Sequence, residues 1–484
     1  MKKLTDILKN TPVREVCGDT AAAIGGLVYD SRAVKPGDCF FAVPGTQSDG
    51  HDYIPIAVEK GAAAIVCERM PADAAEGVAY VLVGDSAGAI ADMAAAFYDY
   101  PSRELKLVGI TGTNGKTTTA TLLYDLVRAM GYKAGLISTV VYKIDGREVE
   151  ATHTTPDSIR LNAMMREMAD AGCAYCFMEC SSHAIVQERT RGLDFAGGIF
   201  SNITHDHLDY HKTFAEYIRA KKLFFDGLPK GAFALTNADD RNGRVMVQNT
   251  AAAVSAYSLR AMADFRCKIV EMHLDGMLLR IDGQELWVGL LGRFNAYNLL
   301  AVYGAAVLLG LDRGEVLRVL SMLHAVSGRF EKIRAANGTT AIVDYAHTPD
   351  ALENVIQTIE EIRTPGQQLI VVCGCGGDRD RTKRPEMAAI AVKYATTAVF
   401  TSDNPRHESP EAILDDMVAG LEPGARYLRI ADRAEAIRTA VMLSRPGDII
   451  LVAGKGHETY QIVGDVKHPF DDREEIKKRF ALLN

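Results

Sequence analysis

Residues 105–118 have the sequence Leu105-Lys-Leu-Val-Gly-Ile-Thr-Gly-Thr-Asn-Gly-Lys-Thr-Thr118, in which an apolar run leads into a glycine-rich turn. A helical pattern over 117–130 follows the turn. A strand, a glycine-rich turn and a helix in this order surround one point with backbone N–H groups and the positive end of a helix dipole, which together bind phosphate. Lys116 and the Thr117 hydroxyl have the positions of the phosphate-binding lysine and the Mg²⁺-binding hydroxyl of such a loop. The usual spacing places Gly where this chain has Ile110, so the loop is a variant.

The size and composition of the chain indicate several globular domains. It has 484 residues, whereas a single core rarely grows beyond about 250–300 residues. Hydrophobic residues make up 48% and charged residues 24%, which excludes disordered and fibrous classes. The net charge of −8 argues against a nucleic-acid partner. No apolar run is long enough for a membrane span and the N-terminus has no signal-peptide pattern, so we expect a cytoplasmic protein that opens with an amphipathic helix.

The nine cysteines do not form a disulfide framework, because an odd number is scattered over a long chain. Cys173, Cys176 and Cys180 come closest to a metal-binding pattern. They lie in an apolar run that predicts a buried strand, where residues four apart are about 13 Å from each other and cannot share one zinc ion. We therefore interpret them as small buried hydrophobic residues.

The order of apolar runs and turn signals predicts an α/β protein of three domains, over residues 1–98, 99–327 and 328–484. In the first domain we expect short strands at 27–32, 39–43, 63–67 and 79–83, followed by a helix at 87–98. Strand–loop–helix units recur in the second domain up to about residue 325 and predict a mainly parallel sheet. The third domain has strands at 341–343, 369–373, 398–401 and 449–452 and is expected to be Rossmann-like. A dinucleotide fingerprint after the 369–373 strand would need Gly where Arg379 stands, which argues against a nicotinamide enzyme.

The loop Gly112-Thr-Asn-Gly-Lys-Thr-Thr118 resembles the ATP loop of the Mur ligases, which build the peptide stem of bacterial peptidoglycan. Further motifs of that family occur before and after this loop, in the family's order, along nearly the whole chain. They are Asp30-Ser31-Arg32, Thr154-Thr155-Pro156, Glu179-Cys-Ser181-Ser182-His183, His205-Asp-His207-Leu-Asp209, Gly292-Arg-Phe-Asn295, Asp344-Tyr-Ala-His347-Thr-Pro-Asp350, Cys373-Gly-Cys-Gly-Gly-Asp-Arg379, Asp403-Asn404-Pro405-Arg406 and Gly454-Lys-Gly-His-Glu458. The resemblance implies an N-terminal UDP-binding domain, a central ATPase domain and a C-terminal Rossmann-like domain.

The resemblance also implies the residues of the site. Catalysis and Mg²⁺ binding are expected from Lys116, Thr117, Glu179, His207 and Lys221, the last as a carbamate; without the resemblance, Lys221 is a solvated helix lysine and His207 part of a polar surface loop. ATP is expected to contact Gly112, Thr113, Asn114, Gly115, Lys116, Thr117, Thr118, Asn295, Asn298, Arg329 and Asp344, although an Asn near a helix start is more often a cap. The nucleotide-sugar substrate is expected at Ser31, Thr46, Gln47, Ser48, Thr154, Thr155, Ser181, Gln187 and Arg189.

Four polar clusters, at 344–350, 376–379, 403–406 and 454–458, directly follow apolar strands and should converge at one edge of a parallel sheet. Arg379 and Arg406 suit carboxylates and Glu458 suits an ammonium group, a set that matches meso-2,6-diaminopimelate. L-Lysine ends in an ammonium group that Arg406 would repel. The resemblance implies the same amino acid, with Arg379, Asp403, Asn404, Pro405, Arg406, Gly454 and Glu458 as its binding residues.

The expected activity is therefore an ATP-dependent ligase that adds meso-diaminopimelate to UDP-N-acetylmuramoyl-L-alanyl-D-glutamate through an acyl phosphate, with Mg²⁺ and as a monomer. The alternatives are an L-lysine-adding ligase of the same family and a folylpolyglutamate-type ligase. A nucleotide-binding switch without turnover is a third alternative, and the joint presence of Lys116, Glu179, His207 and Lys221 argues against it.

Overall fold

The computed structural model describes residues 1–45, 48–204 and 208–483. Within these ranges the large sheets number three, and each lies inside one of the segments expected from the sequence. Helices flank mostly parallel strands, so the predicted α/β class is confirmed. The domain boundaries at 98/99 and 327/328 stay a prediction. In the described ranges no helix has the length and apolar character needed to cross a membrane.

The N-terminal sheet has the strand order β2-β7-β6-β5-β4, in which only β2 is antiparallel to its neighbour. The strand β1 pairs with β3 outside this sheet. The elements are β1 (Lys2–Lys3), α1 (Leu4–Ile7), β2 (Val13–Cys17), β3 (Ala23–Ile24), β4 (Leu27–Val28), β5 (Cys39–Phe41), α2 (Ile54–Glu59), β6 (Ala64–Cys67), β7 (Ala79–Val83) and α3 (Ser86–Phe97).

Two elements of this domain are shorter than expected. The predicted opening helix is reduced to the single turn α1, because Lys2 and Lys3 pair with β3. The strand predicted at 27–32 ends at Val28, because the Asp30 side chain accepts a hydrogen bond from the Arg32 N–H at 2.9 Å and starts a 3₁₀ turn. Asp commonly competes with strand pairing in this way.

The central sheet has the order β11-β10-β9-β12-β8-β13-β14-β15-β16-β17-β18. Its strands are β8 (Lys106–Thr111), β9 (Ala134–Ile137), β10 (Val141–Ile144), β11 (Arg147–Glu150), β12 (Tyr175–Glu179), β13 (Gly197–Phe200), β14 (Phe233–Asn237), β15 (Ala253–Ser258), β16 (Phe265–His273), β17 (Gly276–Ile281) and β18 (Gln284–Val288). Its helices are α4 (Lys116–Ala129), α5 (Ser158–Asp170), α6 (Ser182–Val186), α7 (Leu208–His211), α8 (Phe214–Asp226), α9 (Gly243–Val247), α10 (Arg293–Leu308) and α11 (Arg313–Leu320). As predicted, the cysteines at 173, 176 and 180 are buried.

The two ends of the central sheet depart from the expected strand–loop–helix pattern, because β9-β10-β11 and β16-β17-β18 are antiparallel. The turns Asp145-Gly146 and Asp282-Gly283 have positive φ at both residues, the conformation that joins a tight antiparallel hairpin. These Asp-Gly pairs were a readable signal, and the recurrence of helical units predicted up to residue 325 was wrong there.

The C-terminal sheet has the order β19-β20-β24-β21-β22-β23, in which only β19 is antiparallel to its neighbour. Its elements and those that follow are β19 (Glu331–Arg334), β20 (Thr340–Asp344), α12 (Pro349–Ile362), β21 (Leu369–Cys373), α13 (Lys383–Tyr394), β22 (Thr397–Phe400), α14 (Pro410–Val418), β23 (Tyr427–Arg429), α15 (Arg433–Leu443), β24 (Ile449–Ala453), β25 (Tyr460–Val463), β26 (Val466–Pro469) and α16 (Asp472–Phe480). The four strands predicted here are present, each within a residue or two of its expected bounds.

A fully buried ion pair supports the polar edge of this sheet. Arg433 Nε and Nη2 each donate to the Asp472 carboxylate at 2.7 Å. Arg433 also donates to the carbonyl oxygens of Ser402 at 3.3 Å and Ala453 at 3.0 Å. Because these two carbonyls directly precede two of the four polar clusters, the arginine fixes both loops from beneath.

We expect Arg433→Met to lower the free energy of unfolding by about 3–5 kcal/mol, because it leaves Asp472 buried and unpaired. Arg438→Met is the matched control, since Arg438 is exposed and its pair with Glu435 should contribute less than about 1 kcal/mol. Urea unfolding of the full chain measures both, and equal small effects would contradict the supporting role of Arg433.

Candidate active site

The glycine-rich loop is tied to the end of β13. The Thr113 N–H donates to the Asn202 carbonyl at 2.8 Å, and the Asn114 N–H donates to the Asn202 Oδ1 at 3.0 Å. Ser201 Oγ returns a hydrogen bond to the Asn114 carbonyl at 2.7 Å. β8 lies between β12 and β13, where the order of the strands reverses, so the loop lies in the crevice where α/β sheets bind ligands.

Two lysine ammonium groups meet at the carbonyl oxygen of Gly112. Lys116 Nζ donates to it at 2.9 Å and to the Thr113 carbonyl at 2.8 Å. Lys221 Nζ, from α8, donates to the same Gly112 oxygen at 2.8 Å and lies 4.6 Å from the centre of the Tyr217 ring. Lys221 is 1% exposed, which rules out the alternative of a solvated helix lysine.

Glu179 ends β12 and is 1% exposed. Its carboxylate accepts hydrogen bonds from the Thr139 N–H at 2.8 Å and from Thr139 Oγ1 at 3.1 Å. Sequence reasoning missed Thr139, although a polar residue just after the apolar strand β9 was a usable signal. These two hydrogen bonds from Thr139 fix the orientation of the Glu179 carboxylate.

The residues suited to Mg²⁺ are oxygen donors around the loop, the Thr117 hydroxyl and the Glu179 carboxylate. Among the described residues there is no cluster of three His, Cys, Asp or Glu side chains. Mg²⁺ needs no such cluster when phosphate oxygens and water complete its shell. The donor set therefore fits Mg²⁺ bound with a nucleotide, whereas the predicted ligand His207 lies outside the described residues.

Arg329 reaches the loop from the third domain. Its Nη2 donates to Thr117 Oγ1 at 3.2 Å, and its guanidinium lies 4.5 Å from the centre of the Tyr345 ring. Asp344 accepts hydrogen bonds from the Phe330 N–H at 2.7 Å and the Ala346 N–H at 2.8 Å. Burial raises the pKa of Asp344, and the charge of Arg329 opposes that rise.

A cavity of about 490 Å³ brings most of the predicted ATP residues together. It is lined by Thr113, Asn114, Gly115, Lys116, Thr117, Thr118, Glu179, Lys221, Asn298, Arg329 and Asp344. Gly112 and Asn295 do not line it. Asn295 is buried, and its Nδ2 donates to the Leu291 carbonyl at 2.7 Å. Neither predicted Asn is a helix cap, because the N-cap of α10 is Gly292.

A second cavity of about 1080 Å³ adjoins the first. It is lined by Thr154, Thr155, Ser181, Gln187 and Arg189 of the central domain and by Arg379, Asp403, Asn404, Arg406, Gly454 and Glu458 of the third. Pro405 does not line it. The two cavities share the wall formed by Thr139, Thr154, Ser181, Thr204, Tyr345, His347 and Asp350. Of these, Thr139, Thr204, Tyr345, His347 and Asp350 were not predicted as site residues.

The first domain carries four of the residues predicted to bind the nucleotide sugar. Ser31 is buried and Ser48 exposed, and neither lines the two cavities. Thr46 and Gln47 lie outside the described residues. Tyr29, also in the first domain, interacts electrostatically with the central domain. Burial raises the pKa of Tyr29, the charge of Asp157 adds to that rise, and the charge of Arg189 opposes it.

The predicted amino-acid residues form one wall of the second cavity. A Cβ added to Gly376 would lie 2.9 Å from Arg406 Nη1 and 3.7 Å from Arg379 Cγ, so the two arginines flank this glycine. Arg406 Nη1 donates to the Gly377 carbonyl at 2.8 Å. A Cβ on Gly454 would lie 2.5 Å from Asp403 Oδ2, which shows how closely these loops approach. Charged groups of both signs therefore face one space.

Family models match most of the chain. The middle domain of the Mur ligases matches residues 110–306, the Mur ligase, glutamate ligase domain matches 328–456, and the Mur ligase family, catalytic domain matches 23–98. A relative from Phocaeicola vulgatus, named UDP-N-acetylmuramoyl-L-alanyl-D-glutamate--2,6-diaminopimelate ligase, is 55% identical over 481 residues, 99% of each chain. The chain belongs to the Mur ligase family. The resemblance inferred from the motifs is confirmed.

Solved structures agree with this Mur ligase in fold. A structure titled as the same diaminopimelate ligase matches with a TM-score of 0.71 and 31% identity, over 100% of this chain and 99% of that one. The Mycobacterium tuberculosis folylpolyglutamate synthase matches with a TM-score of 0.62 at 18% identity, over 76% of this chain and 93% of that one. The latter likeness shows a shared fold alone.

In this Mur ligase, Gly328 at the start of the predicted third domain packs directly on the polar loop 454–458. Gly328 has φ +66, and an added Cβ would lie 2.0 Å from the His457 nitrogen. The His457 ring lies 5.0 Å from that of Tyr345. Burial, reinforced by the charges of Arg329 and others, lowers the pKa of His457 to about 3, so this histidine is neutral at pH 7.

We expect Gly115→Ala to weaken ATP binding by about 10-fold or more, because loop N–H groups displaced from a charged phosphate lose hydrogen bonds of about 1.5–3 kcal/mol. Gly115 has φ +86, and its Cβ would lie 2.4 Å from Asn298 Oδ1. Gly131→Ala is the control, since Gly131 has φ +89 but meets nothing within 4 Å. Calorimetric titration measures the ATP affinity of both variants. Equal affinities would contradict the expected effect of crowding at Gly115.

Proposed function

We propose that this Mur ligase adds meso-2,6-diaminopimelate to UDP-N-acetylmuramoyl-L-alanyl-D-glutamate at the expense of ATP. The observation that carries the proposal is the shared wall between a phosphate-loop cavity and a cleft lined by the polar loops of the third domain. One substrate carboxylate at this wall can face both a nucleotide phosphate and an incoming amine. Relatives at 55% identity with this name support the same activity.

The chemistry proceeds in two displacements. An oxygen of the glutamate carboxylate attacks the γ-phosphorus of ATP, the bond to the bridging oxygen breaks, and ADP leaves. The amine of diaminopimelate then attacks the acyl carbon, phosphate leaves, and the amine loses a proton as the peptide bond forms. Phosphoryl transfer depends mainly on positioning and charge stabilisation, and Lys116 and Arg329 supply the cations.

For Mg²⁺, the proposed ligands are Thr117, Glu179, His207 and the carbamate of Lys221. When bound, the metal would neutralise charge on the phosphate oxygens. Thr139 supports this assignment, because its two hydrogen bonds orient the Glu179 carboxylate. Carbamylation is proposed for Lys221 because it converts a buried cation beside the loop into an anion that suits a metal.

For the amino acid, the proposed ligands are Arg379 and Arg406 for carboxylate and Glu458 for ammonium. Arg406 contacts a carbonyl on the opposite loop through Nη1, so its guanidinium is already oriented. An oriented guanidinium binds the carboxylate of a second amino-acid head group, whereas it repels the bare side-chain ammonium of L-lysine. The lysine-adding alternative therefore predicts a site with less positive charge than this one has.

The nucleotide sugar is proposed to extend from the shared wall toward the first domain, with Thr154, Thr155, Ser181, Gln187 and Arg189 along its path. Thr155 Oγ1 donates to the Glu179 carbonyl at 2.7 Å, which links this path to the phosphate site. Placement of the UDP end at Ser31, Thr46, Gln47 and Ser48, a monomeric state and a cytoplasmic location stay predictions.

The test is ADP release by the purified protein with UDP-N-acetylmuramoyl-L-alanyl-D-glutamate and a panel of amino acids. We expect turnover with meso-diaminopimelate and little with L-lysine, and a new peptide product by mass spectrometry. Preference for lysine would support the lysine-adding alternative, and turnover with a folate and glutamate would support the other.

We expect Lys221→Ala to lower kcat by about 100-fold or more, the scale for losing one group that stabilises transition-state charge. Added short carboxylates such as acetate should restore part of the rate by replacing the carbamate anion. Lys222→Ala is the matched control, because that neighbouring lysine pairs with Asp226 instead. If Lys221→Ala has unchanged kinetics and Lys222→Ala is impaired, the role belongs to Lys222 and the proposal for Lys221 is wrong.

We expect Arg406→Ala to lower kcat/KM for meso-diaminopimelate by about 10- to 150-fold, the loss of one hydrogen bond to a charged group. The KM values for ATP and the nucleotide sugar should stay unchanged. The kcat/KM for L-lysine should not decrease, because lysine has no distal carboxylate. Arg426→Ala, at an exposed arginine of the same domain, is the control. Equal losses with both amino acids would indicate a structural role for Arg406.

A further inference from the structure

Lys455 is a fully buried lysine that the proposed chemistry does not use. It lies between Gly454 and Gly456, just after β24, and its exposed fraction is 0%. Burying an ammonium group is costly unless its charge is compensated and its protons find acceptors. The contacts of Lys455 therefore indicate what the site gains from it.

The ammonium group of Lys455 connects two of the polar clusters of the third domain, 403–406 and 454–458. Lys455 Nζ donates to Asn404 Oδ1 at 3.0 Å and to Glu458 Oε2 at 2.9 Å. Asn404 Nδ2 donates to the same Glu458 oxygen at 2.9 Å. The Ile462 N–H donates to Asn404 Oδ1 at 2.9 Å. Because Oδ1 has two donors, the Asn404 amide has one satisfactory orientation, with its NH₂ group toward Glu458.

This network uses only one side of the Glu458 carboxylate. Both donors contact Oε2, while Oε1 accepts no hydrogen bond from the described part of the chain. The Glu458 side chain is 13% exposed and lines the larger cavity. Its second oxygen is thus available to a cationic group that enters the cleft.

We propose that Lys455 is a positioning residue for the amino-acid substrate, which fixes Glu458 so that Oε1 receives an ammonium group of the incoming diamino acid. The inference rests on the proposed function, because it assigns the ligand of Glu458. Lys455 does not touch the substrate, and it acts through Glu458 and Asn404.

The order of charges gives this arrangement a distinctive consequence. Lysine, carboxylate and ligand ammonium alternate in sign, so Glu458 screens the ligand from Lys455. When the carboxylate is replaced by an amide, the lysine charge faces the ligand ammonium without compensation and repels it. Removing Lys455 should therefore weaken amino-acid binding in the natural protein and strengthen it once Glu458 is an amide.

The experiment is a double-mutant cycle in the full-length protein with Lys455→Met, Glu458→Gln and the double variant. The kcat and the KM for meso-diaminopimelate, ATP and the nucleotide sugar are measured for each. Lys393→Met is the control, since Lys393 is an exposed lysine of α13 in the same domain. If Lys455 had only a structural role, its substitution would lower the active fraction of the protein and hence kcat. The KM values for the three substrates would then stay as they are in the natural protein.

We expect Lys455→Met to raise the KM for meso-diaminopimelate about 10- to 100-fold, the scale of one hydrogen bond between charged groups. The other two KM values should stay within about two-fold, and the double variant should bind the amino acid no worse than Glu458→Gln alone. Lys455→Gln, which keeps one donor, should fall between the natural protein and Lys455→Met.

An unchanged KM for meso-diaminopimelate in Lys455→Met would overturn the proposal, as would independent, multiplying effects of the two substitutions. If Lys455→Met does not fold, the same cycle is run with Lys455→Gln. Loss of the fold in both would assign a structural role instead. A natural enzyme that releases no ADP with meso-diaminopimelate contradicts the proposed function and not this pairing.

Discussion

The parallel pairing of β12, β8 and β13 constrains the rest of the site, because it ends three strands at one edge of the sheet. The glycine-rich loop, Glu179 and Asn202 follow directly from those ends. The loop is hydrogen-bonded on both sides, by Asn202 just after β13 and by Lys221 on α8. Lys116 beside the Gly112 carbonyl oxygen gives this edge of the sheet a positive surface before any phosphate is present. The third domain adds Arg329 to that surface.

Much of this arrangement could be predicted from the sequence because it is local or follows from topology. The strand, turn and helix around Lys116 lie within a few residues of each other, and the four polar clusters of the third domain converge since parallel strands end at one edge. The Asp-Gly hairpins at 145–146 and 282–283 were predictable too, but the recurrence of helical units in the same segment masked them.

Other features could not be predicted, since they join residues that are distant in sequence and have no pattern of their own. Arg433 meets Asp472 across 39 positions, and Lys455 meets Asn404 across 51. Each pair is specified by the packing of a completed fold. Packing also sets the amide of Asn295, a residue of a family motif, whose Nδ2 donates to the Leu291 carbonyl within α10 and the turn before it.

Gly328 gives the domain junction an unexpected property. A glycine between domains usually suggests rotational freedom, but here the missing side chain makes room for the backbone at His457. The backbone at 328 therefore packs against the loop that follows β24, with no room for a side chain between them. Arg329 directly follows this contact, and Glu458 directly follows His457, so the two charged residues are joined through it. Any displacement of this part of the chain would therefore move Arg329 and Glu458 together. The residue that completes the phosphate site and the residue proposed to bind the amine would reach their positions at the same time.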